Sequence, residues 1–205
     1  MFIQTEQTPN PLTVKFIPGK DVSPDKSISY SNVAEAKHSP LAKRIFSLDG
    51  ISAVFLGKDF ISVTKNEDID WQIIKPLILS QVMQHFMSDE KVVESIENTA
   101  KVEVSEEDKE IAEQIEELLE TRVRPSVASH GGDIVFHGYS QGIVELELKG
   151  ACSGCPSSMA TLKMGVENML RHYVPEVQEV KEISYIKFVL SDLSLKICQF
   201  LLLNS

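Results

Sequence analysis

The chain has 205 residues, 42% of them hydrophobic and 24% charged, with a formal net charge of -10, the profile of a folded protein long enough for one large domain or two small ones. The acid excess argues against nucleic-acid binding, which needs clustered Lys and Arg to neutralise phosphates, and serves solubility instead. Three cysteines are too few for a secreted disulfide scaffold, so a reducing compartment is expected.

Met1 to Glu6 carries no basic segment followed by an apolar core, and it is not an Arg-rich, acid-poor transit sequence. No uninterrupted apolar run reaches about eighteen residues, so no bilayer span is expected. A cytoplasmic location of bacterial type, with no membrane and no nucleic-acid partner, follows as the expectation.

The first half, residues 1–93, alternates strand and helix patterns. Leu12, Val14 and Phe16 repeat with period two before Pro18-Gly19, which predicts a half-buried strand and a turn. Ser39-Pro40 predicts a capped helix with Pro in its first turn. Leu41, Ile45 and Leu48 would form its apolar face and Gly50 would end it. Ile51 to Leu56 and Phe60 to Thr64 flank Gly57-Lys58-Asp59, a hairpin signal. Asp70-Trp71 opens a further helix with Trp71, Ile74, Leu77, Ile78 and Phe86 as core candidates. Pro76 should bend that helix or confine its regular part to later residues. This half holds no cysteine.

Residues 94–108 are polar and acid-rich and read as a linker. Ser105 and Asp108 then resemble a helix cap and its partner. Ile111, Ile115, Leu118 and Leu119 supply an apolar stripe, the glutamates between them a solvated face, and Pro125 an expected end. Ile134 to Phe136 and Ile143 to Lys149 read as strands around a turn at Ser140-Gln141-Gly142. Met159, Leu162, Val166, Met169, Leu170 and Tyr173 keep helical spacing up to Pro175, and a last strand is expected near Val177 to Ile183. The fold class is therefore α+β in two small domains, the second of order α-β-β-α-β over residues 109–183. Residues 184–205 form an apolar tail, expected to add an element, to cover a sheet, or to remain a sticky surface. Cys198 within it reads as an idle thiol.

Between the second strand and the next helix lies Gly150-Ala151-Cys152-Ser153-Gly154-Cys155-Pro156-Ser157-Ser158. Pro156 suits the first position of a helix. Cys152 and Cys155 would then sit near unpaired amides and the positive end of that helix, which favours thiolate. Three readings stay open on the residues alone. The thiols can be inert packing, a redox dithiol of thioredoxin type, or half of a metal site that lacks two of its four ligands. Gly131-Gly132 reads as a backbone turn with Asp133 satisfying its amides. His130 and His137 read as surface or turn residues rather than ligands, and His38, His85 and His172 show no partner pattern.

The run Leu119-Glu120-Thr121-Arg122-Val123-Arg124-Pro125, His130-Gly131-Gly132-Asp133-Ile134, the cysteine segment with Leu162-Lys163, and Arg171-His172-Tyr173-Val174-Pro175-Glu176-Val177 together resemble the C-terminal domain of NifU-like (Nfu) proteins. Thr8-Pro9-Asn10-Pro11, Phe16-Ile17-Pro18-Gly19, Ser39-Pro40-Leu41-Ala42 and Asp59-Phe60-Ile61-Ser62-Val63 resemble the Nfu N-terminal domain. The resemblance implies a non-enzymatic iron–sulfur carrier. In it Cys152 and Cys155 would join the same pair of a second chain to hold a [4Fe-4S] cluster in a homodimer. That dimer would receive the cluster from upstream assembly proteins and deliver it to client apoproteins. A thiol oxidoreductase using Cys152 and Cys155 is the competing expectation, and a zinc module a distant third.

Overall fold

The computed structural model describes residues 2–88, 90–94, 108–154 and 156–183. The linker expected at 94–108 lies almost wholly outside the described residues, as do Ser105, Cys155, the tail 184–205 and Cys198.

The first domain is a five-stranded sheet of order β1-β2-β5-β4-β3, with β1 at Gln4–Gln7, β2 at Thr13–Ile17, β3 at Ile28–Tyr30, β4 at Ile51–Leu56 and β5 at Ile61–Lys65. Every pairing in it is antiparallel. The hairpin expected around Gly57-Lys58-Asp59 is the β4–β5 turn. β1 and β3 are short strands that the apolar pattern did not signal. Two helices cover one face: α1 at Pro40–Phe46 and α2 at Trp71–Met87. Ser39 caps α1 by accepting the Ala42 amide at 3.1 Å, and Asp70 caps α2 by accepting the Gln72 amide at 2.8 Å.

Alternation along the strands puts Val14, Phe16, Val54, Leu56, Ile61 and Val63 on the helix-facing side. There they share a core with Leu41, Ile45, Ile74, Ile78 and Val82. Leu77, expected in that core, is 49% exposed instead, because the buried arc of α2 runs through Ile74, Ile78, Val82 and His85. Trp71 lies at the edge of the core, its indole N–H donating to the Pro11 carbonyl at 3.0 Å. Pro76 does not delay the helix, which begins at Trp71 and carries the proline in its second turn.

The second domain has a three-stranded sheet of order β6-β7-β8. β6 spans Gly132–Ser140, β7 Ile143–Gly150 and β8 Glu179–Glu182. β6 and β7 form an antiparallel hairpin, and β8 joins β7 in parallel after the crossover helix α5, Pro156–Tyr173, as a parallel pair requires. A helical run precedes the sheet: α3 at Lys109–Leu118, a π-helical turn at Leu119–Val123, and α4 at Arg124–Ser129. Pro125 therefore opens α4 rather than ending the run. The widened π turn ends just before it, and proline is tolerated in a first turn because its missing N–H would have no partner there. Ile115, Leu119, Val127, Ile134, Val144, Leu146, Val166, Leu170 and Val180 make the core, and Cys152 is part of it.

The strand expected to be half-buried is buried on both sides. Thr13 and Lys15 of β2 are as enclosed as Val14 and Phe16, with Lys15 only 9% exposed and Ser62 of β5 only 1%. Phe60 covers part of that second face, and the other domain covers part of it at the glycine turns described below.

Candidate functional site

The candidate site grows from the open end of the β6–β7 hairpin. Gly132 and Gly150 are partners in the ladder, and Gly131 and Gly150 both hold positive φ, +79° and +68°, a conformation costly for residues with a Cβ. The turn is closed by the Ala151 amide donating to the Gly131 carbonyl at 3.0 Å. Ala151–Gly154 then makes a 3-10 turn that delivers the chain to Pro156 and α5, the strand-to-helix junction that the sequence anticipates.

Cys152 sits in that turn, 7% exposed. Its sulfur rests over Gly132: a Cβ there would lie 2.7 Å from Cys152 Sγ and 2.7 Å from the Lys149 carbonyl oxygen. Gly131 thus serves the turn as expected, whereas Gly132 serves something the sequence did not suggest, namely room for the thiol. Ser153 Oγ donates to the Gly150 carbonyl at 2.9 Å and so braces the loop. Cys155 lies outside the described residues.

Asp133 accepts the Ile134 amide at 2.8 Å and lies 3.3 Å from Arg124 Nε, which also donates to the Ile134 carbonyl at 3.1 Å. Arg124 thereby ties the helical run to the first residues of β6. His130 is exposed at the end of α4. His137 pairs with Glu147 at 2.9 Å on the sheet face opposite the core, and Lys149 lies 3.4 Å from the same carboxylate. Burial works to raise the Glu147 pKa, but the His137 hydrogen bond and the Lys149 ammonium outweigh it and hold the group below the ordinary carboxylate range. Among the described residues no three or more His, Cys, Asp or Glu side chains are grouped to hold a metal ion, and no helix is long and apolar enough to cross a membrane.

Residues of the first domain stand directly against this turn. The cross-strand row Lys15, Ser62 and Phe55 meets it. Ser62 Oγ donates to the Gly131 carbonyl at 2.7 Å, and the Phe55 ring and Lys15 Cβ pack beside Gly150 and Gly131 respectively. At the sheet edge Ser27 Oγ donates to Asp133 Oδ2. Nothing in the hydrophobic pattern of β4 and β5 marks these residues for such a role; only the polar serine between buried Ile61 and Val63 hints at a partner.

Comparison with known proteins agrees with this layout. Residues 3–89 match the family described as scaffold protein Nfu/NifU N terminal, and residues 115–181 match the NifU-like domain. A Homo sapiens protein named "NFU1 iron-sulfur cluster scaffold homolog, mitochondrial" is 48% identical over 185 residues, 89% of this chain and 72% of that protein. An Arabidopsis thaliana protein named "NifU-like protein 4, mitochondrial" is 50% identical over 89% of this chain and 66% of its own length. The Drosophila sechellia homolog named like the human one is 46% identical and matched over 65% of its length. The human and Drosophila names denote a scaffold rather than an enzyme. The designation mitochondrial overturns the bacterial-type cytoplasmic location expected above. That expectation rested on the character of Met1 to Glu6, and a chain matching about two thirds of its relatives' length cannot be placed by its first residues. The chain belongs to the Nfu family of NifU-like scaffold proteins, with the N-terminal and the NifU-like domain in that order.

Proposed function

We propose that this chain is an iron–sulfur cluster carrier in which Cys152 and Cys155 supply two thiolates and a second copy supplies two more. The shared cargo is a [4Fe-4S] cluster. The observation that carries this reading is a half-complete ligand set: one thiol pair at a strand-to-helix junction, in a family whose curated members are named as cluster scaffolds. Four thiolates are the usual complement of such a cluster, and a two-fold axis through the loop doubles the pair.

The chemistry is ligand exchange without redox. Each carrier thiol gives up its proton on binding iron. In delivery, a client thiolate forms the new Fe–S bond while the bond to Cys152 or Cys155 breaks, and the released carrier thiolate takes up a proton. Two ligands per chain leave fewer bonds to exchange on each side than a site of four ligands from one chain. Client apoproteins and upstream assembly proteins are the implied partners, and the relatives' designation supports a mitochondrial setting. Residues 1–93 and 109–183 are proposed as the two domains, joined by 94–108.

Anaerobic loading with iron and sulfide, followed by visible absorbance and sizing, tests the reading. The wild type should turn brown and elute as a dimer, and Cys155→Ala should do neither. A colourless monomer that instead cycles a Cys152–Cys155 disulfide and reduces insulin would overturn it.

A further inference from the structure

We propose that the outer face of the N-terminal sheet is a cap on the cysteine loop, and that this cap lifts before a second chain can add its thiolates. The consequence for sharing rests on the carrier reading above; the cap itself is a property of the metal-free chain.

The cap is a single row of residues. Alternation places Glu6, Lys15, Ser62, Phe55 and Ser29 side by side across β1, β2, β5, β4 and β3, all on the face turned away from α1 and α2. An uncovered row of this composition would be solvated. Here Lys15, Ser62 and Phe55 are 9%, 1% and 2% exposed: Phe60 of the same domain packs on Lys15 and Phe55, and the turn that seats Cys152 covers Ser62 and touches Phe55 and Lys15.

The contacts converge on one group. The Gly131 carbonyl accepts both the Ala151 amide, at 3.0 Å, and Ser62 Oγ, at 2.7 Å. Ala151 immediately precedes Cys152, so the same oxygen anchors the cysteine turn and the cap. Phe55 closes over Gly150 on the other side of the turn, where a Cβ would come within 2.9 Å of its ring. Ser27 latches the sheet edge to Asp133. A second chain approaching Cys152 from the Gly131–Gly150 side of the turn would meet this domain first.

The interface is also built to part. Its cross-domain hydrogen bonds run from serine hydroxyls to a carbonyl and a carboxylate, groups that water satisfies nearly as well. Lys15 stays paired with Glu6 of its own domain at 3.4 Å and needs no new partner on opening. Domains of one chain move relative to one another unless a large hydrophobic interface holds them.

The test uses the full-length, metal-free, reduced chain and reads alkylation of Cys152 by iodoacetamide, resolved by peptide mass. Ser62→Trp cannot dock, since Ser62 fills no more space than a hydroxyl against Gly131. Ser27→Glu sets a carboxylate against Asp133 from a part-exposed edge position and spares the domain core. Both variants should keep wild-type circular dichroism, expand in small-angle X-ray scattering, and label Cys152 at least about tenfold faster, as release of a protecting contact does. Unchanged Cys152 labelling in both variants overturns the cap, whatever the scattering shows. Failure of the wild type to bind iron would instead sink the carrier reading, because the labelling involves no metal.

Discussion

The two domains cover a sheet by different means, and the difference bears on function. The N-terminal domain packs two helices on a five-stranded sheet and fills its core with Phe16, Leu41, Ile45, Leu56, Ile61 and Ile78, all fully or almost fully buried. The NifU-like domain has a three-stranded sheet, and its core includes Cys152, a residue proposed to bind iron. A ligand drawn from the core sets stability against function, a trade-off common where a site must rearrange. The larger domain can afford to be a scaffold; the smaller one cannot lose much.

That contrast can be broken most strongly by matched truncations. Ile78→Ala and Ile115→Ala each remove a fully buried side chain and should each cost about 2–5 kcal/mol. In urea unfolding followed domain by domain, Ile115→Ala should leave the NifU-like domain largely unfolded at 37 °C while the N-terminal transition stays in place. Ile78→Ala should lower its own domain's midpoint yet leave it folded. Equal tolerance in the two domains would contradict the contrast.

A smaller effect sharpens it at the thiol. In Gly132→Ala the new methyl meets Cys152 Sγ and the Lys149 carbonyl oxygen, and that backbone oxygen has little room to yield. Overpacking of this kind costs about 1–3 kcal/mol. The loss should appear in the NifU-like transition alone, together with faster labelling of the displaced Cys152. A variant with wild-type stability and wild-type thiol reactivity would refute the seating of sulfur on Gly132.

The smallest effect is a slope in pH, and it belongs to the other domain. His85 is fully enclosed, neither ring nitrogen has a hydrogen-bond partner among the described residues, and Glu90 stands 3.7 Å from Nδ1. Burial lowers its pKa; Glu90 pulls it back up, and Arg44, itself paired to Glu90 at 3.0 Å, pushes it down again. With the folded pKa below the unfolded one of about 6.5, the unfolded chain binds the proton more readily. His85 therefore leaves stability intact above about 6.5 and lowers it as pH falls from there through the folded pKa. His85→Leu should flatten the N-terminal domain's stability between pH 7 and 5 relative to wild type. The same slope in both would show that His85 does not titrate against folding.

Much of this was legible in the residues. The period-two runs of β2 and β7, the Ser39-Pro40 cap and the Gly57-Lys58-Asp59 turn are local signals, and local physics decided them. The strand-to-helix junction at Cys152 was legible because a period-two strand runs straight into a Pro suited to a helix's first turn. What escaped the sequence depended on distant contacts. The strand of Val14 and Phe16 read as half-buried because one partner of its second face, the Gly131 turn, lies far along the chain. Leu77 read as core because periodicity fixes a helix's apolar arc only to within a residue or two, and α2 is apolar on more than one side. Pro125 read as a stop because nothing in its neighbours announces a π turn. Gly132 read as a turn glycine because its true constraint is a sulfur twenty residues away.

Native mass spectrometry of anaerobically loaded protein tests the shared cluster most directly. The expected species is two chains carrying one [4Fe-4S] cluster, about two irons per chain, which separates into bare monomers when the iron is chelated. A single chain carrying a whole cluster, or a dimer of unchanged mass after chelation, would contradict a site completed by a second copy.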